Sequence, residues 1–151
     1  MNDVKSVPEL PASIVFRLGT LGSVASERFA ERIADLDLKV KHAGLMTALS
    51  LGTGASQQEL AARLGVAPSL VVTLADQLEA LGAVQRVRDP EDRRRQVLTL
   101  TDRGRQLLGE CAAVAAELDA ELTAGLTPAQ RTAFRRTLGL LATEAGLPTG
   151  S

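Results

Sequence analysis

Asp89-Pro-Glu-Asp-Arg-Arg-Arg95 and the run after it, Gln96-Val-Leu-Thr-Leu-Thr-Asp-Arg-Gly104, decide the fold of this chain. Val84 to Arg88 and Gln96 to Leu100 are apolar-rich runs too short for helices, and they bracket a seven-residue polar loop. That arrangement predicts a β-hairpin. A hairpin with an arginine-rich tip beside a recognition helix is a wing, which can grip two grooves of duplex DNA at once.

The helices that would sit beside the wing lie just upstream. Ser56-Gln-Gln-Glu59 has the form of a capping box, in which the serine hydroxyl accepts the Glu59 N–H and the Glu59 carboxylate returns to the Ser56 N–H. The helix it opens should run to Leu64 and stop at Gly65, a residue free to turn left-handed. Pro68 then suits the first turn of the next helix, where its missing N–H costs nothing. Leu70, Leu74 and Leu78 give that helix an inward stripe until Gly82. Two short helices joined by a tight glycine-containing turn match a helix-turn-helix.

Working outward, residues 1–10 are expected to fray, with Pro8 and Pro11 delaying the first helix. From Pro11 to Asp35, Ile14, Leu18, Leu21, Ala25, Phe29 and Ile33 mark one face of a helix. A second helix is expected from Lys41 to Leu51, ended by Gly52 and Gly54. Thr101 is a candidate N-cap for a long helix reaching about Ala124, with Gly104 tolerated in its first turn. Thr127-Pro-Ala-Gln130 is a second capping box, opening a helix that carries Phe134, Leu138, Leu141 and Ala142 and fades before Gly146.

Composition bounds the possibilities. The 151 residues suffice for one domain with a core; 45% are hydrophobic and 23% charged, an ordinary soluble balance. No uncharged apolar run reaches the roughly eighteen residues of a membrane span. Met1-Asn-Asp-Val-Lys-Ser6 lacks the features of a secretory signal, and Cys111, the lone cysteine, has no internal disulfide partner. The cytoplasm is the expected compartment. With no Trp or Tyr, only Phe16, Phe29 and Phe134 could stack on single-stranded bases. Duplex recognition through polar and cationic side chains escapes that objection.

The net charge of -1 hides an uneven distribution. Residues 84–105 hold seven arginines against four acids, whereas every other stretch is balanced or acidic. The positive charge therefore sits at the wing, and a local patch can bind phosphate on a neutral body because ions screen over about 10 Å at moderate salt.

A helical arm, a central winged helix-turn-helix and two C-terminal helices together resemble the MarR family of bacterial transcription regulators. The most specific match is Asp92-x-Arg94 followed by Leu98-x-Leu100-Thr101-x-x-Gly104. Ser56-x-x-Glu59-Leu-Ala-x-x-Leu64-Gly65-Val66 and Leu78-Glu-x-x-Gly82 support it. The fold expected is mainly α with a small β-wing, a single domain over 1–151. Its winged helix-turn-helix (40–100) is flanked by dimerisation helices (11–36 and 101–145). The resemblance implies a homodimer held by the first and last two helices, presenting two wings to a pseudo-palindromic operator in double-stranded DNA.

Arg94 is the expected minor-groove or phosphate contact, because a guanidinium carries a fixed fork of donors and stays charged. Residues 92 and 94 point the same way in extended chain, so Asp92 should hold Arg94, the role the resemblance also implies. Arg93 and Arg95 would face phosphate or solvent, and Arg86 and Arg88 could contact the backbone from the leading strand. The bland alternative for such a run is a solvated loop. On the recognition helix the outward set is expected to be Pro68, Ser69, Val72, Thr73 and Gln77. Gln77 suits adenine, Ser69 several bases, and the Val72 or Thr73 methyl the thymine methyl. With no arginine there to read guanine, the operator should be A·T-tolerant and affinity should lean on the wing.

The resemblance also places an effector pocket near the second helix. His42 or Arg17 could bind an anionic ligand there, with Phe16 and Met46 as apolar lining; the alternative is that His42 is a surface or helix-end residue. One histidine and one cysteine are too few for a metal site, no cofactor motif is present, and nothing converges on catalysis. Cys111, between Glu110 and Ala112-Ala113, is expected to be a packed thiol rather than a redox sensor. The remaining rivals are a helical protein-interaction module and a non-specific architectural DNA binder. Salt dependence together with sequence preference separates both from a regulator. Repression is favoured over activation, since operator occupancy alone blocks transcription.

Overall fold

The computed structural model describes residues 9–52 and 54–149, so the expectations for residues 1–8 lie outside it. After a 3-10 turn at Leu10–Ala12 come α1 (Ile14–Ile33), a second 3-10 turn (Ala34–Leu36), α2 (Val40–Ser50), α3 (Gln57–Leu64) and α4 (Pro68–Ala80). The hairpin β1 (Val84–Arg88) and β2 (Gln96–Leu100) leads into α5 (Asp102–Leu122) and α6 (Pro128–Glu144). None of the described helices is long and apolar enough to cross a membrane.

Local chemistry sets most of these boundaries. Ser13, Ser56, Thr101 and Thr127 each accept, through the side-chain oxygen, the N–H of the residue three positions on. These bonds satisfy donors that the first helical turn leaves without partners. Thr127 and Gln130 complete the reciprocal box. Ser56 and Glu59 complete only half of theirs, because the Glu59 carboxylate is drawn to Arg95 instead. Gly65 adopts φ 65° and ends α3; its N–H donates to Ala62 and that of Val66 to Ala61, which turns the chain into α4.

The hairpin is antiparallel, with Val84 opposite Leu100 and Arg88 opposite Gln96. It gains a further rung that the sequence did not suggest: Ala55 exchanges both backbone hydrogen bonds with Leu98, at 3.2 and 2.8 Å. The wing is thereby stitched to the segment before α3.

Leu45, Met46, Leu60, Val71, Leu78, Leu98 and Leu107 are fully buried and form one core. At roughly 1.5–3 kcal/mol for each large side chain, this cluster supplies the main drive to fold the central module. It is closed by a backbone joint. Thr101 donates its N–H to Ala83 (3.0 Å) and its hydroxyl to Gly82 (2.5 Å). Gly104 sits so close to Ala83 that a Cβ on it would lie 2.0 Å from the Ala83 carbonyl oxygen. Gly104 is therefore required by the packing rather than merely tolerated.

The flanking helices behave differently. The apolar face expected on α1 exists, but only Ile33 is buried and only Phe29 joins the edge of the core; Ile14, Leu18 and Leu21 are exposed. No residue of α6 is buried, and Phe134, Leu138 and Leu141 face outward.

Candidate nucleic-acid interface

The recognition helix α4 buries Val71, Leu74, Ala75 and Leu78. Each residue advances about 100° around a helix, so the side away from the core carries Ser69, Val72, Thr73 and Asp76. All four are exposed, as is Pro68 at the start. The Thr73 hydroxyl donates back to the Ser69 carbonyl at 3.1 Å, leaving its oxygen lone pairs and methyl facing out. The expected outward set omitted Asp76 and included Gln77, which is also exposed.

Gln77 is exposed, but it lies on the flank of α4 and its amide oxygen is 2.7 Å from Nε2 of His42. His42 is buried, with 3% of its surface accessible, and its Nδ1 accepts the Lys39 N–H at 2.9 Å. An Nδ1 that accepts must be unprotonated, so Nε2 carries the proton and donates to Gln77. His42 is thus a buried helix-end residue joining the start of α2 to the recognition helix. Adenine reading needs the Gln77 oxygen as an acceptor, and His42 already occupies one of its two lone pairs.

The wing arginines separate into tied and unpaired groups. Arg86 reaches back to Asp76 (2.7 Å) and Glu79 (3.0 Å) on α4, and both partners raise its already high pKa. Arg86, expected as a contact to the DNA backbone, is thus engaged by two carboxylates within the chain. Arg95 pairs with Glu59 (2.5 Å) and Asp89 (3.2 Å), and so ties the wing to α3. Arg88 donates to the Arg93 carbonyl at 3.2 Å, across the base of the loop.

Asp92 also departs from expectation. Its carboxylate accepts the backbone N–H of Arg94 at 3.1 Å, and its carbonyl accepts the Arg95 N–H at 3.0 Å. Residues 93 and 94 form a turn, so the alternation of extended chain does not apply. Asp92 folds the wing tip and leaves the guanidinium of Arg94 alone. Among the described residues, the side chains of Arg93 and Arg94 have no hydrogen-bond or ion-pair partner, and both are exposed at the tip.

The expected effector residues are not brought together. Met46 is sealed in the core and His42 is committed to Lys39 and Gln77, whereas Phe16 is 38% exposed on α1. Arg17 donates from Nε to the Pro11 carbonyl at 3.2 Å. An open cleft of about 730 Å³ lies elsewhere, between Leu49–Ser50 at the end of α2, Gly52, Gly54, Thr99 on β2 and Arg105 on α5. Cys111 is buried, and burial pushes its thiol pKa up, so it packs rather than reacts.

Residues 36–95, the segment that forms the helix-turn-helix and most of the wing, match the model of the MarR family. The chain is 32% identical over 133 residues to the HTH-type transcriptional repressor Rv2887 of Mycobacterium tuberculosis, covering 88% of this chain and 96% of that one. A solved structure of Rv2887 in complex with DNA superposes with a TM-score of 0.74, covering 86% of this chain and 98% of that one. CouR from Rhodococcus jostii RHA1, solved bound to p-coumaroyl-CoA, is 27% identical with a TM-score of 0.73, covering 96% and 99% of the two chains.

Proposed function

This chain belongs to the MarR family of transcriptional regulators, and we propose on that premise that it represses transcription by holding a pseudo-palindromic operator as a homodimer. The carrying observation is the division of the wing arginines. Arg86, Arg88 and Arg95 are used to shape and anchor the hairpin, which leaves Arg93 and Arg94 as exposed cations at its tip. Beside them, α4 presents Ser69, Val72 and Thr73 to the major groove. The wing tip supplies charge that depends on no base, and the helix supplies contacts that do.

Residues 11–36 and 101–145 would form the dimer, and residues 40–100 the DNA-binding module. The support is the apolar surface left open on α1 and α6, namely Ile14, Leu18, Leu21, Phe134, Leu138 and Leu141. In such a dimer the two recognition helices should stand about 34–36 Å apart, one turn of DNA, or a multiple of it. CouR binds an acyl-CoA thioester, and an anionic or apolar organic effector is the corresponding expectation for this protein. Its site would be formed by the dimer, since the sequence-expected residues make no pocket within one chain.

Selection of bound duplexes from a random library tests the reading. An inverted repeat should be recovered by the wild type, and Arg94→Ala should prefer the same repeat while retaining less duplex of every sequence. Salt-dependent binding with no preferred sequence would instead make the protein an architectural binder, and no binding at low salt would exclude DNA as its partner.

A further inference from the structure

We propose that Asp76 is a specificity-determining residue that selects cytosine in each half-site, held in reading position by Arg86 from the wing strand. The inference rests on the DNA-binding reading above. Ser69, Thr73 and Asp76 recur at spacings of four and three, so they form one outward line along α4. The Asp76 side chain is 64% exposed, against 22% for the arginine that holds it. Its Oδ1 accepts from Nη2 of Arg86 at 2.7 Å, and Oδ2 has no partner among the described residues. Glu79 binds the other terminal nitrogen of the same guanidinium at 3.0 Å.

Two carboxylates against one guanidinium leave this end of the recognition helix net negative. A net negative cluster on a helix that docks against phosphates opposes binding unless its free oxygen finds a donor. An ionised carboxylate only accepts hydrogen bonds. Cytosine N4 and adenine N6 are the amino donors in the major groove, and cytosine N4 is the one that pairs with an aspartate or glutamate. Guanine O6 and thymine O4 would meet Oδ2 acceptor to acceptor. Arg86 restrains the side chain before DNA arrives, so little freedom is lost on contact. The operator should then be A·T-tolerant where Val72 and Thr73 read it, yet require a C·G pair where Asp76 does.

The test is duplex selection with wild type, Asp76→Ala, Asp76→Asn and Glu79→Gln, with urea midpoints taken as a check on folding. The wild type should prefer cytosine at one position of each half-site by on the order of tenfold. Both Asp76 variants should lose that preference at that position alone, while Glu79→Gln keeps it. If Asp76→Ala retains every base preference, or binds all sequences more tightly by one common factor, the carboxylate serves only to brace Arg86 and the inference is overturned. Failure of the wild type to select any sequence would instead overturn the regulator reading itself.

Discussion

The first three turns of α5 and the whole of α6 are both amphipathic helix, yet they meet opposite fates. In α5, Gly104, Leu107 and Cys111 are buried against the module. In α6, Phe134, Leu138 and Leu141 repeat at helical spacing and stay exposed, and no residue of the helix is buried. Periodicity predicts which face of a helix is apolar; it does not say whether the covering surface belongs to the same chain. What sets the start of α5 apart is one contact, the backbone approach of Gly104 to Ala83.

The largest expected effect breaks that contact. Gly104→Ala should destabilise the module by about 3 kcal/mol, because a rigid carbonyl 2.0 Å from the new methyl must move, and with it the joint made by Thr101. Gly109→Ala, on the same helix with nothing within 4 Å of the added carbon, should stabilise by up to about 1 kcal/mol. Urea unfolding of both variants reads the difference. Equal midpoints would mean that the two glycines sit in equivalent surroundings, and the contrast would fail.

Leu138→Glu addresses the other half of the comparison. Placing a charge among exposed apolar residues costs a single chain little, since Leu138 is already 39% accessible. In the proposed dimer it would strand a carboxylate in an apolar interface. Sedimentation should show association weakened at least a hundredfold, with the unfolding of the monomeric module almost unchanged. A variant that remains dimeric would show that α6 is covered by something other than a second α6 region.

Within the wing the same question, own chain or outside partner, separates neighbouring arginines. Arg94→Ala should weaken binding to all duplexes alike, by roughly 1 kcal/mol, and lower the salt slope by about one. Arg95→Ala should act through the fold, loosening the tie to Glu59, and should change thermal stability more than the salt slope. If the two variants behave identically, the division into tied and unpaired cations has no functional meaning.

Short-range chemistry was legible in the sequence. The strand limits at Val84, Arg88, Gln96 and Leu100, the Ser56 and Thr127 caps and the left-handed Gly65 all follow from residues a few positions apart. Tertiary choices were not legible. Glu59 could have closed its own capping box but is claimed by Arg95 from the wing, and Arg86 is claimed by Asp76 and Glu79 across the gap between strand and helix. The outward set on α4 shows how little error is tolerated. A shift of one residue is about 100° on the wheel, enough to exchange Asp76 for Gln77 and so a carboxylate for an amide already bound by His42.

The smallest effect is expected where α1 and α5 are held by charge. Arg32 on α1 grips Glu121 near the end of α5 through both carboxylate oxygens, at 2.8 and 2.6 Å. That hydrogen-bonded pair holds the Glu121 carboxyl below its usual range. A carboxyl with a depressed folded pKa stabilises the fold above its unfolded value, about 4.3, and the benefit is lost as pH falls through the folded value. Glu121 is exposed and Arg32 only half-buried, so the effect should be slight. The urea midpoint of the wild type should fall a little more steeply between about pH 5 and pH 3 than that of Glu121→Gln, and added salt should shrink the gap. A constant offset between the two proteins from pH 6 to pH 3 would mean that the pair contributes packing alone. The far half of α5 would then be joined to α1 without electrostatic help, as apolar surfaces would join α6 to a second chain.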